Sequence, residues 1–216
     1  MARSLSAVAL TLVFAGSLAG QSVEGGRAGP RATLERDREV ALALSAAPSE
    51  VTHAARVLVW TSKGFEVARE GTNGVSCYVA RSWPESLEPH CFDEEGSRTI
   101  LPIHLRQMEL WHEGKTDAEI DAAIADGLRT GAFRLPSRPV MSYMMSAGQR
   151  LVSDAGVAVG RWEPHLMIYY PYMTSGDLGL GAIPSTDAAL VVDPGTPLSN
   201  ITIVLETFVD VESRSR

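Results

Sequence analysis

Cys77 and Cys91 are the only cysteines in the chain, and they constrain its middle more than any other feature. Two lone thiols at this spacing pair most simply with each other in an oxidising compartment. Closing a loop of about 15 residues stabilises a fold by ~3 kcal/mol in the chain-entropy account. The stretch between them carries Pro84, Pro89 and little periodicity, so the crosslink is expected to brace a segment that packs poorly by itself. A metal site built from the thiols and His90 is the competing use, and it requires both sulfurs reduced.

The N-terminus favours oxidation. Arg3 supplies one positive charge, Ser6 to Ala15 is almost continuously apolar, and Ser17-Leu18-Ala19 offers small residues at a cleavage spacing. This is the three-part pattern of a secretory leader. No later stretch approaches the ~20 apolar residues that a spanning helix needs, so the mature chain is expected to have no membrane span. The expected organisation is a signal peptide over 1–20, a flexible arm over 21–33, one domain over 34–210 and a frayed end over 211–216. The expected location is secreted or periplasmic.

Apolar residues make up 45% and charged residues 21% of the chain, a globular balance. A net charge of −7 argues against nucleic acid as a partner, which selects a basic face.

A first helix is predicted over Leu34 to Ala46, capped by Thr33 and stopped by Pro48. Arg56 to Trp60 and Phe65 to Arg69 flank the turn Thr61-Ser62-Lys63-Gly64 as a hairpin. Val75 to Arg81 extends it to a three-stranded antiparallel meander. A helix over Pro102 to Glu113 follows, with Leu101, Leu105, Met108 and His112 along one face. Thr116-Asp117-Ala118-Glu119 is a capping box opening a second helix, with Ile120, Ile124 and Leu128 as its apolar stripe and Gly131 as its stop. Val140 to Met145, Leu166 to Met173, Ala188 to Val192 and Ile201 to Val209 read as strands, and Thr174 to Pro184 as an exposed loop. The fold class is α+β: a single domain in which a helical pair and an N-terminal helix pack on an antiparallel β-sheet, with the helices on one side.

No Gly-x-Ser-x-Gly elbow, Ser-x-x-Lys, His-Glu-x-x-His or phosphate-binding loop is present, and no cofactor is expected. Glu109 and His112 form one Glu-x-x-His pair, where di-metal sites need two. His104 and His112 lie about 12 Å apart along a helix, too far to share an ion. Glu-Pro-His occurs at Glu88-Pro89-His90 and at Glu163-Pro164-His165, which together hold a divalent metal only if the two loops meet; the expected number of metal sites is none.

The run His165 to Met173 is rich in aromatic and thioether groups. As a strand it turns Leu166, Ile168 and Tyr170 one way and His165, Met167 and Tyr169 the other. A core strand is the simpler use of it, and a cleft wall with polar tips at His165 and Tyr169 is the functional one. Met141, Tyr143, Met144 and Met145 extend such a surface, which adapts to apolar ligands. Arg138, held between Pro136 and Pro139, is placed to meet an anionic group.

Three groups of residues resemble segments of a group of small, uncharacterised bacterial secreted proteins. They are Arg69-Glu70-Gly71-Thr72-Asn73-Gly74 with Cys77, Ser137-Arg138-Pro139 with Tyr143-Met144, and Pro164-His165-Leu166-Met167 with Tyr169. The likeness runs from about Ala43 to Thr196 and implies a bacterial exported protein, with no activity attached.

The leading expectation is a non-catalytic, exported binding or accessory domain. Its ligand would be small and apolar or anionic, and its candidate binding residues are Asn73, Arg138, Tyr143 and Tyr169. The alternative is a hydrolase or transferase with His165 as general acid or base, Glu70 as its partner, and Asn73 or Arg138 as electrostatic stabiliser. A structural protein of the cell envelope is the third class. Nothing in the sequence sets the oligomeric state.

Overall fold

The computed structural model describes residues 29–152, 158–179 and 189–211. The predicted leader, most of the arm, part of the Gly-rich loop and nearly all of the frayed end lie outside the described residues. The chain runs α1 (Arg36–Leu44), α2 (Ser49–Thr52), β1 (Arg56–Thr61), β2 (Gly64–Arg69), β3 (Ser76–Ala80), β4 (Glu88–Phe92), α3 (Glu94–Arg98), α4 (Ile100–His112), α5 (Asp117–Thr130), β5 (Val140–Met144), β6 (Leu151–Val152), β7 (Ala158–Gly160), β8 (His165–Tyr169), β9 (Ala189–Val192) and β10 (Asn200–Val204). Eight strands form one sheet in the order β2-β1-β3-β4-β5-β8-β10-β9, and β6 and β7 pair separately. The α+β single domain is what the sequence implies.

The first three strands do not form the expected meander. β2 turns back antiparallel on β1, but β3 pairs with β1 in parallel, with Val57 opposite Cys77. Burial explains the choice. Every residue of β3 is buried, whereas β2 leaves Glu66 and Val67 exposed. A strand apolar on both faces belongs inside the sheet, and the half-wet one at its edge. The connection from β2 to β3 is clamped at its start, where the Arg69 guanidinium donates to the carbonyls of Ala55 and Thr52 at 2.7 Å each.

β4 replaces what the sequence showed as an irregular stretch, and Pro89 hid it. Cys77 stands opposite Cys91 with Cα atoms 4.1 Å apart, the narrow kind of antiparallel pair that exchanges no hydrogen bonds. Val79 and Pro89, two residues along, share that geometry, so the Pro89 nitrogen points away from β3. On its other side β5 has already departed, because Met145 N donates to Ala46 O. Proline therefore removes no ladder bond. The sulfurs of Cys77 and Cys91 are bonded, and both residues are fully buried.

The helices lie on both faces of the sheet, not one. α1 and the turn after it bury Leu42, Ala43, Ala46 and Ala47 against Val57, Cys77, Val79 and Cys91. On the opposite face α4 buries Ile100, Leu101 and Met108 against Leu58, Tyr78, Phe92, Val140 and Tyr169. α5 rides on α4 through Ile103, Leu110, Ile120 and Ile124. Central strands with apolar residues at both parities must be covered twice.

Local signals vary in how well they hold. Thr33 caps nothing: α1 starts later, at Arg36, after Glu35. α5 follows its code, with Glu119 N donating to Thr116 Oγ1, Thr116 N donating to Glu119 Oε2 at 2.9 Å, and Gly131 closing at φ 79°. Pro102 lies in the first turn of α4, where backbone N–H groups have no intrahelical partner. α1 is tied down by a buried ion pair: Arg81 Nη2 donates to Glu39 Oε2 at 2.9 Å, with both side chains 1% exposed. The remaining polar atoms are matched too. Trp60 N donates to Glu39 Oε1, and Arg81 donates to Ala32 O and Val79 O. Among the described residues no helix is long and apolar enough to cross a membrane.

Candidate functional site

A cavity of about 470 Å³ lies between the sheet and α4–α5, within the roughly 300–1,000 Å³ of small-molecule sites. Its floor is sheet: Tyr78 from β3, Met167 and Tyr169 from β8, and Asn200 from β10. Period-two alternation puts these side chains on the α4 face. Its roof is α4, where His104, Met108 and Trp111 at i, i+4 and i+7 share one helical stripe. Asp117 and Asp121, one turn apart on α5, and Asp193 from the end of β9 edge the opening. Among the described residues no lysine or arginine lines it.

Polar groups inside the cavity are uncharged at neutral pH. His104 Nδ1 and the Tyr78 hydroxyl hydrogen-bond at 3.1 Å. Burial pushes the His104 imidazolium down to about 4 and raises the Tyr78 phenol well above its usual range. The Tyr169 phenol is raised by burial and by the nearby Asp193 carboxylate. Asp193 in turn is held above the ordinary carboxylate range by burial and by Asp121.

Beside this floor, on the same face of the sheet, lies a serine–histidine pair, Ser142 Oγ against His90 Nε2. Its position argues against nucleophilic chemistry. Ser142 is 0% and His90 3% exposed, and the His90 ring packs against both the Tyr78 and Phe92 rings, at 5.5 and 4.5 Å. Burial and the neighbouring imidazoles of His104 and His165 keep His90 neutral. A nucleophile must reach its substrate, and this one faces packed side chains.

The residues singled out from sequence do not assemble. Glu70 and Asn73 lie in the connection that crosses from β2 to the start of β3, while His165 starts β8, three strand positions from β3, about 14 Å at ~4.8 Å per strand. Arg138 precedes β5 at the end opposite His165, since Val140 pairs with Tyr169 and Met144 with His165. The four side chains proposed for a dispersed hydrolase or transferase site therefore share no pocket.

Three of them have local tasks. Asn73 Nδ2 donates to Val51 O, and Asn73 Oδ1 accepts from Val75 N. Beside it, a Cβ on Gly71 would stand 2.2 Å from Arg56 N, so the motif around Glu70 is a backbone constraint. Arg138 spends its charge on Asp93 at 3.1 Å, not on an external anion. His165 Nδ1 donates to Glu163 O at 2.7 Å, and burial lowers its pKa. Tyr143 is half-buried on the α1 face. Of the named candidates, only Tyr169 lines the cavity, and it does so from its floor.

The two Glu-Pro-His segments do bring His90 and His165 to the same face, but β5 runs between their strands. Glu88 is occupied by Ser82 and Ser86. Among the described residues no group of three or more His, Cys, Asp or Glu side chains is placed to hold a metal ion.

Tyr78, His104, Trp111, Asp121 and Asp193 escaped the sequence analysis as site residues. A usable signal existed for two of them: His104 and Trp111 repeat at helical spacing about Met108, a residue of the apolar stripe. Nothing local marks Asp193, which reaches the opening only through the order of β8, β10 and β9. The chain matches no protein-family model, no curated protein and no solved structure, so the geometry stands alone as a guide to function.

Proposed function

We propose that the protein is an exported domain that binds a small organic ligand in the cavity between its sheet and α4–α5, without transforming it. The observation that carries this reading is the lining. Neutral imidazole and phenol groups sit among aromatic and thioether surfaces in a space of ligand size, the usual composition of a recognition pocket. The one close serine–histidine pair described is sealed away from it. Export rests on the leader pattern and on a disulfide that an oxidising compartment would install. Bacterial origin rests on the resemblance alone.

A thermal-shift screen of the mature, oxidised chain against aromatic alcohols, amines, sugars and fatty acids tests the binding function, because a ligand selective for the native state raises Tm. The Ala80→Leu variant, which fills part of the cavity wall, should melt normally without ligand and lose the shift. A panel that leaves wild-type Tm unchanged, or a shift that persists in Ala80→Leu, overturns the reading. Mass spectrometry of secreted material checks export: a mature N-terminus near residue 21 is expected, and an intact leader on cytosolic protein opposes it.

A further inference from the structure

Resting on that binding function, we infer that the ligand is an organic cation, with its ammonium group held by Asp121 and Asp193 and its apolar body laid against Tyr78, Met108 and Trp111. Charge is the first argument. Asp117, Asp121 and Asp193 converge on one opening that no lysine or arginine among the described residues lines. Among the described residues none of the three makes an ion pair, although Arg81, Arg106, Arg129 and Arg138 all find carboxylates elsewhere. Asp121 and Asp193 repel each other there, a cost that a bound cation removes. An anionic ligand, admitted by the sequence, meets only like charge.

The interior supplies the second argument. Trp111 Nε1 donates to Asp117 Oδ1 at 2.9 Å, which fixes the indole beside the carboxylates. Aromatic faces attract ammonium groups, tryptophan most strongly. Tyr169 is 3% exposed, and its hydroxyl donates only to the Met167 thioether, a weak acceptor, at 3.7 Å. The Tyr169 oxygen accepts from no donor among the described residues, which leaves it available to an N–H group. His104, neutral at pH 7, adds no competing positive charge. The space of about 470 Å³ admits an arylalkylamine.

Isothermal titration of the mature, disulfide-bonded chain at pH 7 compares three probes of one shape: phenethylamine, 2-phenylethanol and 3-phenylpropionate. The amine should bind about tenfold or more tighter than the alcohol, the equivalent of one charge-assisted contact, and the acid weakest. In Asp121→Asn/Asp193→Asn the amine should fall to the affinity of the alcohol. The alcohol itself should be unaffected, which shows that the variant is folded. An amine no tighter than the alcohol, or one whose advantage survives the double substitution, overturns the cation while binding stands. Failure of all three probes to bind overturns both.

Discussion

The two faces of the sheet are built from the same strands and do opposite things. On the α1 face, β1, β3 and β4 present Val57, Cys77, Val79 and Cys91, and the covering segment answers with Ala43, Ala46 and Ala47. Short side chains bring backbone close to backbone, and the Arg81–Glu39 ion pair buried there has its hydrogen bonds matched on both sides. On the α4 face, strands β3, β4 and β8 present Tyr78, His90, Phe92, Met167 and Tyr169. Rings and thioethers meet at fixed angles and do not fill space as alanines do, and the cavity opens on this side. Alternating residues of a single strand thus divide the labour. One parity holds the fold together, and the other shapes a place for a guest.

The sharpest way to break this division is through the ion pair. Glu39→Gln leaves the Arg81 cation buried without a counter-charge, and should cost about 3–5 kcal/mol by urea denaturation. Affinity for any cavity ligand should be unchanged in the protein that remains folded. Next is the disulfide. Cys77→Ala/Cys91→Ala should lower stability by about 3 kcal/mol, again read from the denaturation midpoint and again without touching the cavity.

Acid should act on the other face. The native His104 imidazole refuses a proton until about pH 4, whereas in the unfolded chain it accepts one near its ordinary value of about 6.5. Its contribution is complete above pH 6.5 and drains away as pH falls toward 4, by at most about 3 kcal/mol. His90 and His165 are shifted in the same direction and steepen the loss. Urea midpoints measured from pH 7 to 4 should show this slope, and His104→Asn should flatten it where Cys77→Ala/Cys91→Ala does not. The smallest effect belongs to Thr116→Ala, which removes the α5 cap at a cost of about 1 kcal/mol, visible as a lower Tm.

What the sequence disclosed follows the range of the interaction involved. α5 was legible from its capping box to Gly131 because every signal lies within its own turns. The alternation of His165, Met167 and Tyr169 was legible because a strand has period two, and all three are buried as one set. β4 was not, because proline reads as a breaker until its nitrogen is known to face a neighbour that has left. The parallel pairing of β1 with β3 was hidden for a related reason: adjacency in sequence favours β2, and only burial on both faces of β3 overrules it. The site was the least legible part. Its walls come from β3, α4, α5, β8, β10 and the end of β9, and no window of sequence spans them. His165, Glu70, Asn73 and Arg138 drew notice because polar residues stood beside prolines and glycines, and those neighbours turn out to serve turns and strand ends.

One consequence reaches past the folded molecule. The sulfur bridge lies beneath α1, with neither cysteine touching solvent. A small reductant can attack it only after that helix lifts, so its lifetime is set by the opening of the chain and not by the potential of the surroundings. By the same logic an oxidase must reach the β3–β4 hairpin before α1 settles, which makes docking of α1 the seal on a bond already made.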